Sequence, residues 1–116
     1  MAGDLLELAA AMRQFANERD WNQYHSPKNL AMALSGEAGE LIEHFQWISE
    51  QASRELDEPA KLRVSHEMAD VLLYLVRLSD VLGIDLLEAS KRKLAINADK
   101  YPVEKARGSI RKYTEL

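Results

Sequence analysis

Apolar residues recur at spacings of three and four along almost the whole chain, and that period leaves little room for any element but the α-helix. Four segments carry it, each with its own start or stop chemistry. The first is predicted from Asp4, placed to cap it, to about Asn17, with Leu5, Leu8, Met12 and Phe15 on one face. An irregular aromatic stretch, Glu18 to His25, follows. Ser26 as N-cap and Pro27 at the first position open a second helix, predicted to reach about Glu50. A polar connection, Gln51 to Glu58, leads to Pro59 and a third helix that runs to about Leu82, where Gly83 can end it. Asp85 and Glu88 have the spacing of a capping box for a fourth. It should stop near Lys100, because Pro102 disfavours helix at Tyr101. Val103 to Leu116 reads as a basic tail. The expectation is an all-α, four-helix-bundle-like fold, a single domain over residues 1–116. Its long apolar helices would cover their remaining faces by self-association into a homo-oligomer.

Composition narrows the function classes. The 116 residues are 47% apolar, too many for a disordered chain, and the net charge of −4 argues against general nucleic-acid binding. There is no cysteine, so disulfides and thiolate metal sites are excluded. The opening stretch lacks a basic leader region, and no apolar run approaches the roughly 20 residues that cross a bilayer. A cytoplasmic setting, with no membrane partner, is the expectation.

The chemistry lies in two acidic pairs. On the second helix Leu30, Leu34, Leu41, Phe45 and Ile48 trace an apolar stripe. Glu37 falls on that stripe, and Glu40 shares its face three residues on. On the third helix Val64, Val71, Leu75 and Leu78 form a stripe with Tyr74 beside it, and Glu67 and Asp70 fall inside it. A single E-x-x-E is ordinarily solvated surface. Two pairs that interrupt apolar stripes on helices predicted to pack antiparallel are different. Four carboxylates brought together repel, and burying unpaired charge costs several kcal/mol or more, so a cation is needed. All-oxygen ligands favour Mg²⁺, with Mn²⁺ as a substitute, and Mg²⁺ sites commonly take substrate phosphates. The Glu-x-x-His spacing of di-iron bundles is absent, and His44 and His66 read as ordinary, partly exposed histidines.

The segments "SGEAGEL", "HEMADVLLYLVRL" and "KRKLAINADKYP…ARGSIRKYTEL" resemble the MazG-like, all-α nucleoside triphosphate pyrophosphohydrolases. The block from Glu18 to Trp47 resembles the dCTP pyrophosphatase-like branch of that family. The resemblance runs from about Leu8 to Leu116. It implies Mg²⁺-dependent hydrolysis of a deoxynucleoside triphosphate, dCTP or a modified dCTP, to monophosphate and pyrophosphate. It implies Glu37, Glu40, Glu67 and Asp70 as metal ligands, with Glu40 also activating the attacking water. Trp21, Trp47 and Tyr74 match base-binding positions, although without the resemblance Trp47 and Tyr74 read as core or interface residues. Lys93, Asn97, Lys100 and Tyr101 match the segment that approaches the triphosphate, and read equally as a solvated last helical turn. The resemblance also implies a tetramer, a dimer of dimers, with sites completed across chains and Arg107, Arg111 and Lys112 within reach of a neighbour. Met12 departs from the branch, whose members carry histidine there, which opens the base preference to dATP, dUTP or mixed triphosphates. A non-catalytic nucleotide-binding module is the reading outside this class.

Overall fold

A computed structural model describes residues 4–116. Its helices are α1 (Asp4–Glu18), α2 (Pro27–Glu43), α3 (Glu50–Ser53), α4 (Glu58–Leu82), α5 (Leu86–Lys100) and α6 (Val103–Ala106). Two short 3₁₀ turns, Asn22–Tyr24 and Tyr113–Glu115, complete the order, and no strand occurs among the described residues. No helix is long and apolar enough to cross a membrane. Two compact units are distinguished, one ending at Ile84 and one comprising Asp85–Leu116.

In the first unit α4 packs against both α2 and α1. Contacts at both ends of α2 show that it runs antiparallel to α4. His25, just before α2, meets Arg77 late in α4, whereas His44, at the end of α2, meets Glu67 earlier in α4. Leu30, Val64 and Val76 are buried between these helices. On α1 the residues most completely buried are Ala9 and Ala16, seven apart, while Phe15 is left 41% exposed. These positions follow the predicted Leu8 and Phe15 by one residue, so the packed face is turned by part of a turn and Phe15 lies at its edge.

The helix ends follow local chemistry. Ser26 accepts a hydrogen bond from the Asn29 amide, Asp57 from Ala60 and Asp85 from Glu88. Asp4 is the first described helical residue, so whatever caps α1 lies outside the described residues. The far end of α1 is a Schellman motif: Asp20 takes φ 54°, its amide donates to Asn17 and the Trp21 amide donates to Ala16. Gly83 ends α4 in the same way at φ 68°, with the Ile84 amide donating to Ser79.

The second helix is shorter than predicted. It ends at Glu43 rather than near Glu50. There the hydrogen bonds tighten, the His44 amide donating to Leu41 and the Phe45 amide to Ile42. The run His44, Phe45, Trp47 and Ile48 has modest helix propensity. Ser49 then competes by capping α3 through the Ala52 amide. Ile48, placed on the stripe by extrapolating the helix, is consequently exposed.

The second unit contains α5, which buries none of its residues within the chain. Its C-terminal part is more ordered than a tail. After α6 the chain returns so that the Tyr113 ring meets the Tyr101 ring edge-on at 6.0 Å, with the Lys100 ammonium 4.9 Å from the Tyr113 centroid.

Candidate active site

The antiparallel pairing of α2 and α4 brings the two acidic pairs together. One carboxylate oxygen from each of Glu37, Glu67 and Asp70 lies within 4.8 Å of the others. Glu40 is exposed, one turn along α2 from Glu37 and within hydrogen-bonding reach of it. The electrostatics are unfavourable for anions alone. Burial, the hydrogen bond and charge of Glu40, and the charges of Asp70 and Glu67 all push the Glu37 carboxyl above the ordinary carboxylate value.

The decisive detail is at the oxygens. Glu37 Oε2 and Glu67 Oε2 are buried without a hydrogen-bond partner in the protein. Buried polar atoms are normally satisfied, so these two carboxylate oxygens call for a partner that the protein itself does not supply. A divalent cation with a preference for oxygen ligands fits that donor set.

His44 belongs to this region as well. Its Nε2 lies 3.7 Å from Glu67 Oε1. The spacing of His44 from Glu40 disqualified it as a di-iron ligand, and the sequence held no signal that it would reach across to the other helix.

A cavity of about 300 Å³ adjoins the acids, lined by Met12, Phe15, Trp21, His25, Asp70, Leu73 and Tyr74. Asp70 is common to the cavity wall and the acidic cluster. The Schellman turn at Asp20 delivers Trp21 to the wall, where its ring stands edge-on to Phe15 at 5.6 Å. Trp21 and Tyr74, singled out from the sequence, therefore face one cavity, and Met12 faces it with them. Trp47 does not line it; that side chain is 86% exposed on the turn after α2. Phe15 and His25 were not anticipated as cavity residues.

Behind His25 lies a polar network. Arg77, only 5% exposed, donates from Nε to His25 Nδ1 at 3.0 Å, from Nη2 to Asn22 Oδ1 at 2.7 Å and from Nη1 to Asp80 Oδ2 at 3.2 Å. Arg13 on α1 grips the same carboxylate with two bonds, 3.0 and 2.5 Å. The Arg13 hydrogen bond, aided by the charges of Arg13 and Arg77, holds the Asp80 carboxyl below its ordinary value. Asn22 is tied in turn to Asn17.

Lys93, Asn97, Lys100 and Tyr101 all belong to the second unit. Lys93 and Asn97 lie one turn apart on α5, Lys100 is its last residue and Tyr101 follows as its C-cap. Lys93 and Lys100 are exposed and Asn97 is half-buried.

Comparison with known proteins gives a consistent set of relatives. The profile of the MazG-like family matches residues 32–116. Mouse (Mus musculus) dCTP pyrophosphatase 1 is 47% identical over 105 residues, which are 89% of this chain and 62% of that protein. The human (Homo sapiens) protein of the same name is 46% identical with the same coverage. This chain thus spans 62% of the length of the curated relatives it matches. The crystal structure of a pyrophosphatase from Archaeoglobus fulgidus superposes with a TM-score of 0.80 at 46% identity, covering 85% of this chain and 93% of that one.

Proposed function

The chain belongs to the MazG-like family, and on that footing we propose that it hydrolyses a deoxynucleoside triphosphate, dCTP or a modified dCTP, to the monophosphate and pyrophosphate with Mg²⁺ as cofactor. One observation carries the reading. A carboxylate cluster with two orphaned buried oxygens shares Asp70 with an aromatic cavity. A nucleotide needs both halves, a cation site for its phosphates and a flat apolar slot for its base. The relatives named for dCTP support the choice of base.

Glu37, Glu67 and Asp70, with Glu40 beside them, are the residues that would hold the metal. When bound, Mg²⁺ supplies Lewis-acid stabilisation of charge on the phosphate oxygens. The acids do the rest. Glu40 is exposed and lies outside the three-oxygen cluster, which suits it to accept the proton of the attacking water. Water adds at the α-phosphorus, the bond to the β-phosphate oxygen breaks, and pyrophosphate departs with the electron pair. Trp21 and Tyr74 hold the base by stacking, worth about 1–3 kcal/mol. Lys93, Asn97, Lys100 and Tyr101 bind phosphate.

A homo-oligomer, a dimer of dimers, accompanies this reading. Trp47, Leu94, Met32, Leu62 and Met68 are all more than half exposed, a poor end state for side chains of that size in a lone chain. Trp47 then serves as a base-flanking residue in a site completed by association.

The test is pyrophosphate release with Mg²⁺ over a panel of deoxy- and ribonucleoside triphosphates. A dominant dCTP signal is expected, and it should vanish in Glu40→Ala and Asp70→Ala while their circular dichroism spectra stay native. Dominant turnover of another nucleotide would retain the chemistry and overturn the base assignment. Wild-type turnover in those variants would overturn the assignment of the acids.

A further inference from the structure

The buried guanidinium of Arg77 takes no direct part in the reaction above, yet it ends on a residue of the cavity wall. We propose that Arg77 is a positioning residue that locks His25 as its Nε2–H tautomer. His25 thereby becomes a fixed hydrogen-bond donor that favours a base presenting an acceptor to it. The substrate consequence rests on the pyrophosphohydrolase reading; the tautomer does not.

A guanidinium has donors only and keeps its charge throughout the working range. His25 Nδ1 lies 3.0 Å from Arg77 Nε, so it must offer a lone pair. A neutral imidazole with a bare Nδ1 carries its one proton on Nε2. A proton on Nδ1 would oppose an N–H with an N–H, and an imidazolium would add charge repulsion. Desolvation, and secondarily the charge of Arg77, lower the pKa of His25, in agreement with the neutral ring.

The lock is rigid because Arg77 is held on three sides. Its other nitrogens are taken by Asn22 and Asp80, and Asp80 is fixed from α1 by Arg13. The network thus joins the 3₁₀ turn, the loop before α2, α4 and α1 behind one imidazole. An unlocked histidine exchanges tautomers and can serve a base edge as donor or acceptor. A locked one rewards a ring nitrogen or carbonyl oxygen and leaves two donors opposed when it meets an amino group. Two opposed donors discriminate more strongly than a missing contact.

Two measurements on the full chain decide this. Long-range ¹H–¹⁵N spectra resolve three imidazoles, since the sequence has three histidines, and His25→Asn identifies the one of interest. The expected pattern for His25 is a bare Nδ1 and a protonated Nε2, with averaging of the two nitrogens in Arg77→Met. An Nδ1–H ring, or averaging already in the wild type, overturns the proposal, and this holds even if the variant fails to fold.

The second measurement is kinetic. Arg77→Met leaves Asp80 paired with Arg13, so no lone carboxylate is created. With the preferred triphosphate its KM should rise about tenfold while kcat falls no more than about threefold. A fall in kcat at unchanged KM marks Arg77 as scaffold alone and overturns the positioning role. A wild-type chain that hydrolyses no triphosphate overturns the pyrophosphohydrolase reading and, with it, the substrate consequence, while the spectra still decide the tautomer.

Discussion

Single residues divide into those whose environment could be inferred from neighbours in sequence and those whose partners lie far away. Glu37 and Glu67 announced themselves by interrupting apolar stripes, and both carry an orphaned oxygen. Because Glu37 has a raised folded-state pKa, the native state of the metal-free protein holds a proton that the unfolded chain releases. Its stability should therefore fall as pH rises above the ordinary carboxylate value of 4.5. Glu37→Gln should raise the Tm of the metal-free protein at neutral pH by about 2–5 °C, read by calorimetry. Asp80 has the opposite sign. Its folded pKa is lowered, so its contribution is present above 3.8 and is lost as pH falls through the folded value. Asp80→Asn should cost about 1–3 kcal/mol in urea unfolding at pH 7, chiefly through the buried Arg77, and progressively less as pH falls below 3.8. His25, Arg77 and Asn22 gave no comparable signal in the sequence. Arg77 meets them across separations of 52 and 55 residues, and nothing local marks such a pairing.

Helices were legible where a cap or a breaker marked them. Ser26, Asp85 and Gly83 act as read, and Gly83 ends α4 with φ 68°. Gly83→Ala should destabilise by about 1 kcal/mol, because a Cβ in the left-handed region meets the following carbonyl; Tm and urea midpoint both report it. α2 ends at Glu43, short of its apolar pattern, because hydrophobic periodicity persists through Phe45 and Ile48 after the backbone has left the helix. Periodicity reports what a helix would bury, and the capping side chain of Ser49 decided whether one continued. The same reasoning explains the C-terminal segment. Its basic residues suggested a solvated tail, whereas the contact between Tyr101 and Tyr113 closes a compact turn that no period describes.

At the scale of the molecule, family membership and helical class follow from pattern and comparison alike. The cation gives this scale its sharpest test. If the cluster binds Mg²⁺ only when folded, an excess of a hundredfold over Kd should stabilise by about 2.7 kcal/mol, visible as a rise in Tm that EDTA reverses. The shift should disappear in Asp70→Ala. Association is read by sedimentation velocity, where a species of four chains is expected and Trp47→Lys should lower the assembly state. Neither the acids nor the exposed apolar side chains require a second protein class to explain them.

The two tryptophans occupy unlike surroundings, Trp21 in the cavity wall and Trp47 almost wholly in solvent. The chain consequently carries two intrinsic lamps with separate addresses. In Trp47→Phe the remaining emission comes from the cavity alone and dims when a base stacks there. In Trp21→Phe it comes from the turn after α2, where acrylamide quenches it until another chain covers it. Trp21 thus follows the cavity, and Trp47 the cover that association brings to the turn after α2, by light, without attaching a label.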